Sequence, residues 1–247
     1  MPEPAPVCLV SAGASRLGAA IVRALHDAGA RVVIHCHRSR EPAETLVAEL
    51  EARRPDSSLV IQANLLEIGR LPVLVETTVA HFGGLDLLVN NASSFYATPL
   101  QQATLEQWDD LMGSNLKAPL FLAQAALPHL RARRGSIVNI VDIHVDHPFP
   151  EHPIYNVAKA GLAQLTRCLA WDLGPEIRVN GVSPGVALSP EEIAGIDPRE
   201  RRSYEKATAL KRIGDPADIA GAVKFLAFEA PYVTGHILAV DGGETIR

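Results

Sequence analysis

The sequence predicts an α/β protein: one doubly wound parallel sheet of about seven strands, with helices on both faces. Three observations predict it. Short apolar runs recur along all 247 residues, longer amphipathic segments separate them, and most of the apolar runs are continuous rather than alternating. A continuous Val/Ile/Leu run suits a strand buried on both faces, and a strand–helix alternation supplies the helices that cover it.

Taken in order, the expected strands are Val7–Val10, Arg31–Cys36, Leu59–Ala63, Asp86–Asn90, Ser136–Val141, Arg178–Val182 and His236–Val240. After the first strand, Leu17, Ile21 and Leu25 line one helical face, and Gly29 supplies the stop. Helical patterns continue over 42–52, 70–82, 104–129, 154–173 and 216–228. Residues 186–212 break the rhythm with Pro190, Gly195, Pro198 and the charged run Arg199-Glu200-Arg201-Arg202. They read as a long irregular insert, which in a compact domain is usually a lid or a substrate-binding loop. No composition shift, repeat or low-complexity stretch marks a boundary, so a single domain over 1–247 is expected.

Composition excludes several function classes. A net charge of −5 leaves no basic footprint for nucleic acid or anionic membrane. No apolar run reaches membrane-spanning length, and the N-terminal Met-Pro-Glu-Pro-Ala-Pro lacks the features of a secretory signal. Cys8, Cys36 and Cys168 are odd in number, with no metal-ligand spacing, which points to a reducing, cytoplasmic setting. His144, Asp146 and His147 share a loop with Pro148 and Pro150 and read as surface residues, so no metal is expected.

In a doubly wound sheet, ligands bind beyond the carboxyl ends of the strands. After strand one, Ser11-Ala-Gly-Ala-Ser-Arg-Leu-Gly18 opens directly into a helix. Small residues in such a turn let backbone N–H groups approach a pyrophosphate, and the helix N-terminus adds its positive dipole end. This is a Rossmann-like layout. Strand two ends in Cys36-His37-Arg38-Ser39, where an NAD-preferring fold places a carboxylate for the ribose. Arg38 can clamp a 2′-phosphate, with Ser39 and His37 adding hydrogen bonds, so NADPH is expected over NADH. Asp142 closes strand five, and Tyr155 and Lys159 stand four apart on the next helix, on one face. An ammonium beside a phenol is expected to lower the phenol's pKa toward neutrality, making it a proton donor or acceptor at physiological pH.

The glycine-rich turn, Asn90-Asn91-Ala92, Asn115, Tyr155-x-x-x-Lys159, Pro184-Gly185 and Val240-Asp241-Gly242-Gly243 occur in that order. Together they resemble the short-chain dehydrogenase/reductase family over essentially the whole chain. Within it, four details resemble the pteridine reductases: Asp142 where most members carry Ser, Arg16 in the first turn, His35-x-His37-Arg38-Ser39 after strand two, and Asn90-Asn91-Ala92-Ser93-Ser94-Phe95-Tyr96 after strand four. The resemblance implies cofactor contacts from Arg16, Leu17, Asn64, Leu65, Asn91, Ala92, Ser93, Lys159, Pro184 and Gly185 beside the strand-two group. It implies substrate contacts from Arg16, Ser93, Phe95 (as a stacking lid), Asp142 and Tyr155. Tyr155 is then the proton donor, and Asn115 holds a relay water by distorting its helix. Asp142 is either a proton source or an acceptor for the pterin amino edge. Two residues depart from the family pattern: Ala12 stands where glycine is common, and Asn64 where Asp usually contacts adenine.

The expected activity is NADPH-dependent reduction of pterins, with folates as a close variant. A 3-oxoacyl thioester, sugar or steroid carbonyl reductase is the competing enzyme reading, and a non-catalytic NADPH-binding regulator is the competitor from another class. The resemblance also implies a homotetramer.

Overall fold

The computed structural model describes residues 5–246; the first four residues of the N-terminal segment just discussed lie outside them. Seven parallel strands form one sheet: β1 (Val7–Val10), β2 (Arg31–Cys36), β3 (Ser58–Gln62), β4 (Leu87–Asn90), β5 (Ser136–Ile140), β6 (Arg178–Pro184) and β7 (Ile237–Val240). Their order is β3-β2-β1-β4-β5-β6-β7. The chain runs outward from β1 to β3, returns to β4, and then runs outward the other way. The crevice therefore opens at the carboxyl ends of β1 and β4.

The helices are α1 (Arg16–Asp27), α2 (Arg40–Arg53), α3 (Leu71–Phe82), α4 (Leu105–Met112), α5 (Ala118–Arg133), α6 (Pro153–Leu173), α7 (Pro190–Gly195), α8 (Pro198–Ala207) and α9 (Pro216–Lys224). Alternate strand residues feed two cores. Cys8, Val10, Val32 and Ile34 pack with Ile21 and Leu25 of α1, Leu46 and Leu50 of α2 and Val223 of α9. Val7, Leu9 and Val33 face the other way, toward Leu74 and Val75 of α3 and Leu122 and Ala126 of α5. That two-sided burial is why the strands read as unbroken apolar runs.

The stretch expected as one helix over 104–129 is three pieces. A π-helical turn, Gly113–Lys117, separates α4 from α5 and carries Asn115. The expectation of an irregular insert at 186–212 is corrected, because α7 and α8 fill most of it. Pro190 and Pro198 do not interrupt helices; they begin them, at first-turn positions where proline loses nothing. Ser189 and Glu192 form a reciprocal capping box on α7, and the Asp197 side chain caps α8.

Candidate active site

Two cavities run side by side over the carboxyl ends of the strands. The first, about 640 Å³, is lined by Ala12, His37, Arg38, Ser39, Asn64, Leu65, Ala92 and Ser93 among others. The second, about 350 Å³, is lined by Arg16, Leu17, Asn91, Ser93, Phe95, Asp142, Tyr155, Lys159, Pro184 and Gly185, with others. Ala12, Ser15 and Ser93 line both, so the two form one elongated cleft. Every residue expected at the site except Asn115 lines it, and Asn115 lies fully buried behind Ser93.

The turn between β1 and α1 is built for a close approach. Ala12 and Arg16 both have φ of +49°, the left-handed region. The Ala12 N–H donates to His35 Nδ1 at 3.1 Å, and the Gly13 N–H to the His35 carbonyl at 2.9 Å. Because Nδ1 accepts, Nε2 carries the proton and donates to the Ala63 carbonyl at 3.1 Å. His35 thus holds the turn as a neutral ring, and its burial pushes its pKa down to about 4. Asn91 ties the same turn to the end of β4, donating from Nδ2 to the Ser11 and Ala12 carbonyls. The Ser11 hydroxyl accepts from the backbone N–H of Asn91 and Ala92. A Cβ on Gly18 would come within 2.1 Å of the Ala12 carbonyl oxygen, so only glycine closes this turn. No side chain caps α1, which leaves its first N–H groups directed into the cleft.

At the far end of the first cavity, Arg38 is exposed and makes no ion pair among the described residues. Ser39 occupies the N-cap position of α2 without using its hydroxyl to cap. A free guanidinium, a free hydroxyl and a bare helix N-terminus together suit an anionic group. Asn64 Oδ1 accepts from the Leu66 N–H at 3.1 Å while its side chain faces the same space. An elongated cleft with an uncapped helix at its middle and a cationic end fits a nicotinamide dinucleotide.

At the other end, groups are buried and committed to one another. The Tyr155 hydroxyl donates to Asp142 Oδ2 at 2.5 Å, and Asp142 Oδ1 accepts from the His144 N–H at 2.9 Å. Lys159 is 3% exposed and donates to the Ile140 carbonyl at 2.8 Å. Burial lowers the ammonium's pKa to about 8, against the opposing pull of Asp142. Tyr155 corrects the expectation of an acidified phenol. Burial first, and then the Asp142 carboxylate, push its pKa well above the ordinary value, with Ser93 opposing. The spacing does put Lys159 on the face of Tyr155, but its Nζ turns to Ile140 and sits 5.8 Å from the ring centroid. The nearer charge is negative, so the phenol keeps its proton.

Asn115 explains the π turn around it. Its Nδ2 donates to the Leu111 and Ser94 carbonyls, and its Oδ1 accepts from the Ser93 hydroxyl at 2.7 Å. Phe95 overlooks the cavity, 55% exposed, with its edge or face set at 4.8 Å to Tyr155 and a parallel His152 ring at 4.8 Å. Phe149 packs against both Phe95 and His152. His144 Nδ1 pairs with the His147 carbonyl, and no group of three or more His, Cys, Asp or Glu side chains among the described residues is placed to hold a metal ion.

The whole layout has close relatives. The family profile described as enoyl-(acyl carrier protein) reductase, of the short-chain dehydrogenase/reductase family, matches residues 12–245. The chain belongs to the short-chain dehydrogenase/reductase family. It is therefore an oxidoreductase, of a family that uses nicotinamide dinucleotides. Pteridine reductase 1 of Leishmania tarentolae is 36% identical, over 98% of this chain and 97% of its own length. A granaticin polyketide synthase putative ketoacyl reductase of Streptomyces violaceoruber is 38% identical over 97% of this chain and 96% of its own. A 3-oxoacyl-(acyl-carrier-protein) reductase of Staphylococcus aureus is 35% identical over 94% and 95%. Among the described residues, no helix is long and apolar enough to cross a membrane.

His35 and Glu192 line the cleft but were not among the residues expected there. A signal for Glu192 was present: Ser189-Pro-Glu-Glu192 has the spacing of a capping box. For His35 the signal was weaker, a polar residue inside an otherwise apolar strand.

Proposed function

We propose that this enzyme is an NADPH-dependent pteridine reductase. The observation that carries the reading is the Asp142–Tyr155 hydrogen bond beneath an exposed Phe95. A ketone-reducing site needs a neutral hydroxyl beside its tyrosine, because the substrate oxygen gains negative charge. A carboxylate there opposes that charge. It suits instead a heterocycle whose ring nitrogen takes up a proton and whose edge carries N–H groups.

When bound, the cofactor supplies a hydride to the substrate. The chain's own residues do the rest. Arg38 and Ser39 hold a 2′-phosphate, which favours NADPH, and the α1 N-terminus receives the pyrophosphate. Phe95 stacks on the flat bicycle, worth about 1 kcal/mol beyond its area burial. Tyr155 keeps its proton because of burial and Asp142, and gives it to a ring nitrogen that becomes basic as the ring is reduced. Asp142 then orients the hydroxyl and stabilises the proton's path. Both its oxygens already accept hydrogen bonds, which favours the acceptor role over that of a proton source. Lys159 holds the cofactor ribose, and Asn115 anchors Ser93 and the distorted helix.

The test is Asp142→Asn and Asp142→Ser, assayed for NADPH oxidation with dihydrobiopterin and with acetoacetyl thioester. Pterin turnover should fall by about 10²-fold or more while NADPH affinity stays within about twofold. The two oxoacyl reductase relatives make the thioester arm necessary. Wild-type turnover of the thioester alone, with none of a pterin or folate, overturns the reading in favour of a carbonyl reductase.

A further inference from the structure

The pterin reading leaves one pair of charged groups in the second cavity without a task. Arg16 Nε donates to Glu192 Oε1 at 2.7 Å, joining residues 176 positions apart. The other carboxylate oxygen, Oε2, accepts from the Ser189 backbone N–H at 2.8 Å, as the return half of the α7 capping box. Glu192 is therefore fixed from two sides. Both side chains line the same cavity as Phe95, Asp142 and Tyr155. The Arg16 Nη groups make no hydrogen bond among the described residues, so their N–H donors remain available. A carboxylate has about four acceptor positions, and the two bonds leave the others open. The Ser189 N–H and then Arg16 hold the Glu192 carboxyl below the usual range against its burial, so it is ionised at neutral pH. The cavity thus presents N–H donors beside carboxylate acceptors, at a place the helix cap fixes.

We propose that Arg16 and Glu192 together read the 2-amino-4-oxo edge of the pterin, Arg16 donating to the 4-oxo oxygen and Glu192 accepting from N3–H and the 2-amino group. This rests on the pterin reading and specifies it. That edge runs acceptor, donor, donor, and a guanidinium–carboxylate pair runs donor, acceptor, acceptor. The bonds are charge-assisted, which makes them stronger than neutral ones and sensitive to a single atom change. A 2,4-dioxo ring (a lumazine) keeps the 4-oxo and N3–H groups but turns a carbonyl lone pair toward Glu192. A simple ketone offers Glu192 nothing. Glu192 would accordingly be a specificity-determining residue, with its position set by the capping box.

The test uses Glu192→Gln, assayed with NADPH against a dihydropterin and the matched dihydrolumazine. Glutamine at this position keeps the capping box, since its amide oxygen can accept from the Ser189 N–H. Its amide N–H₂ then faces the cavity as a donor, which suits the 2-oxo group and opposes the 2-amino group. Wild type should prefer the dihydropterin in kcat/KM, and the variant should cut that preference by about tenfold or more, mainly through KM. The Kd for NADPH, measured by fluorescence, should stay within about twofold, since Glu192 is not assigned to the cofactor. An unchanged pterin-to-lumazine ratio in a variant that still turns over dihydropterin overturns this inference and leaves the pterin reading standing. Wild-type enzyme that reduces neither heterocycle overturns both.

Discussion

Arg38 and Tyr155 lie at opposite ends of one cleft, and their surroundings differ in kind. Around Arg38 the polar groups are exposed and uncommitted: a guanidinium without an ion pair, a serine that caps nothing, a helix N-terminus with its N–H groups bare. Around Tyr155 they are buried and already bonded to one another, Tyr155 to Asp142, Lys159 to Ile140 and Asn115 to Ser93. The difference follows from what each end does. An end that selects a cofactor must trade water for the ligand's charge, so its groups wait free. An end that moves a proton must hold donor and acceptor in place beforehand, because reorganisation at the moment of reaction raises the barrier.

If the catalytic end works through commitment, removing one bonded partner should damage rate more than binding. Tyr155→Phe deletes the hydroxyl and leaves the ring, with its packing against Phe95, in place. We expect kcat for dihydropterin to fall by about 10²- to 10⁴-fold, with the NADPH Kd little changed. A residual rate above a tenth of wild type would show that the proton comes from elsewhere.

His35 sharpens the contrast, because it is a committed group within the cofactor end. Its folded pKa is depressed to about 4, from an unfolded value near 6.5. The fold favours the neutral ring, so this stabilisation is fully present above about pH 6.5 and is lost as the pH falls toward 4. The shift corresponds to roughly 3 kcal/mol. Denaturant unfolding between pH 7 and pH 4 should therefore show a steeper loss of stability in wild type than in His35→Asn, which cannot protonate there. Equal slopes would mean that the ring opens to water before it charges.

Arg38→Ala tests the uncommitted end. Charge-assisted hydrogen bonds contribute about 1.5–3 kcal/mol, so the NADPH-over-NADH preference should drop by about 10- to 100-fold. The change should appear in KM, with kcat for NADPH within about threefold. A preference that survives the substitution would move phosphate selection to Ser39 and the α2 N-terminus alone.

Sequence made the sheet legible because parallel strands covered on both faces must be apolar throughout, as Val32, Val33 and Ile34 are. It made the cleft's lining legible because turn and strand-end residues stay near their strands: Arg38 follows β2 and Asp142 follows β5. The insert was misread because proline and glycine were taken as breakers, when Pro190 and Pro198 sit where helices begin. The direction of Tyr155's shift was misread for a different reason. Helical spacing reports that Lys159 shares its face, but only three-dimensional packing reports that Asp142 stands closer. Likewise the Arg16–Glu192 bond joins segments that no local pattern connects.

The smallest expected effect lies where the two ends meet, at Ala12, whose side chain lines both cavities. Its φ of +49° costs an L-residue about 1–2 kcal/mol, and glycine escapes that penalty while giving up about 0.5–1 kcal/mol of unfolded-chain freedom. The Ala12 N–H bond to His35 is a backbone bond, so Ala12→Gly retains it. The substitution should thus stabilise the fold by about 0.5–1 kcal/mol, a rise in Tm of about 2 °C for a chain of this size. Removing the methyl also opens the approach to the α1 N-terminus, and NADPH should bind about two- to fivefold tighter if the pyrophosphate lies there. Higher Tm with unchanged affinity would place the pyrophosphate away from this turn. A lower Tm would show that the methyl's packing outweighs its backbone penalty, and that the turn, like the catalytic end, is held by committed contacts.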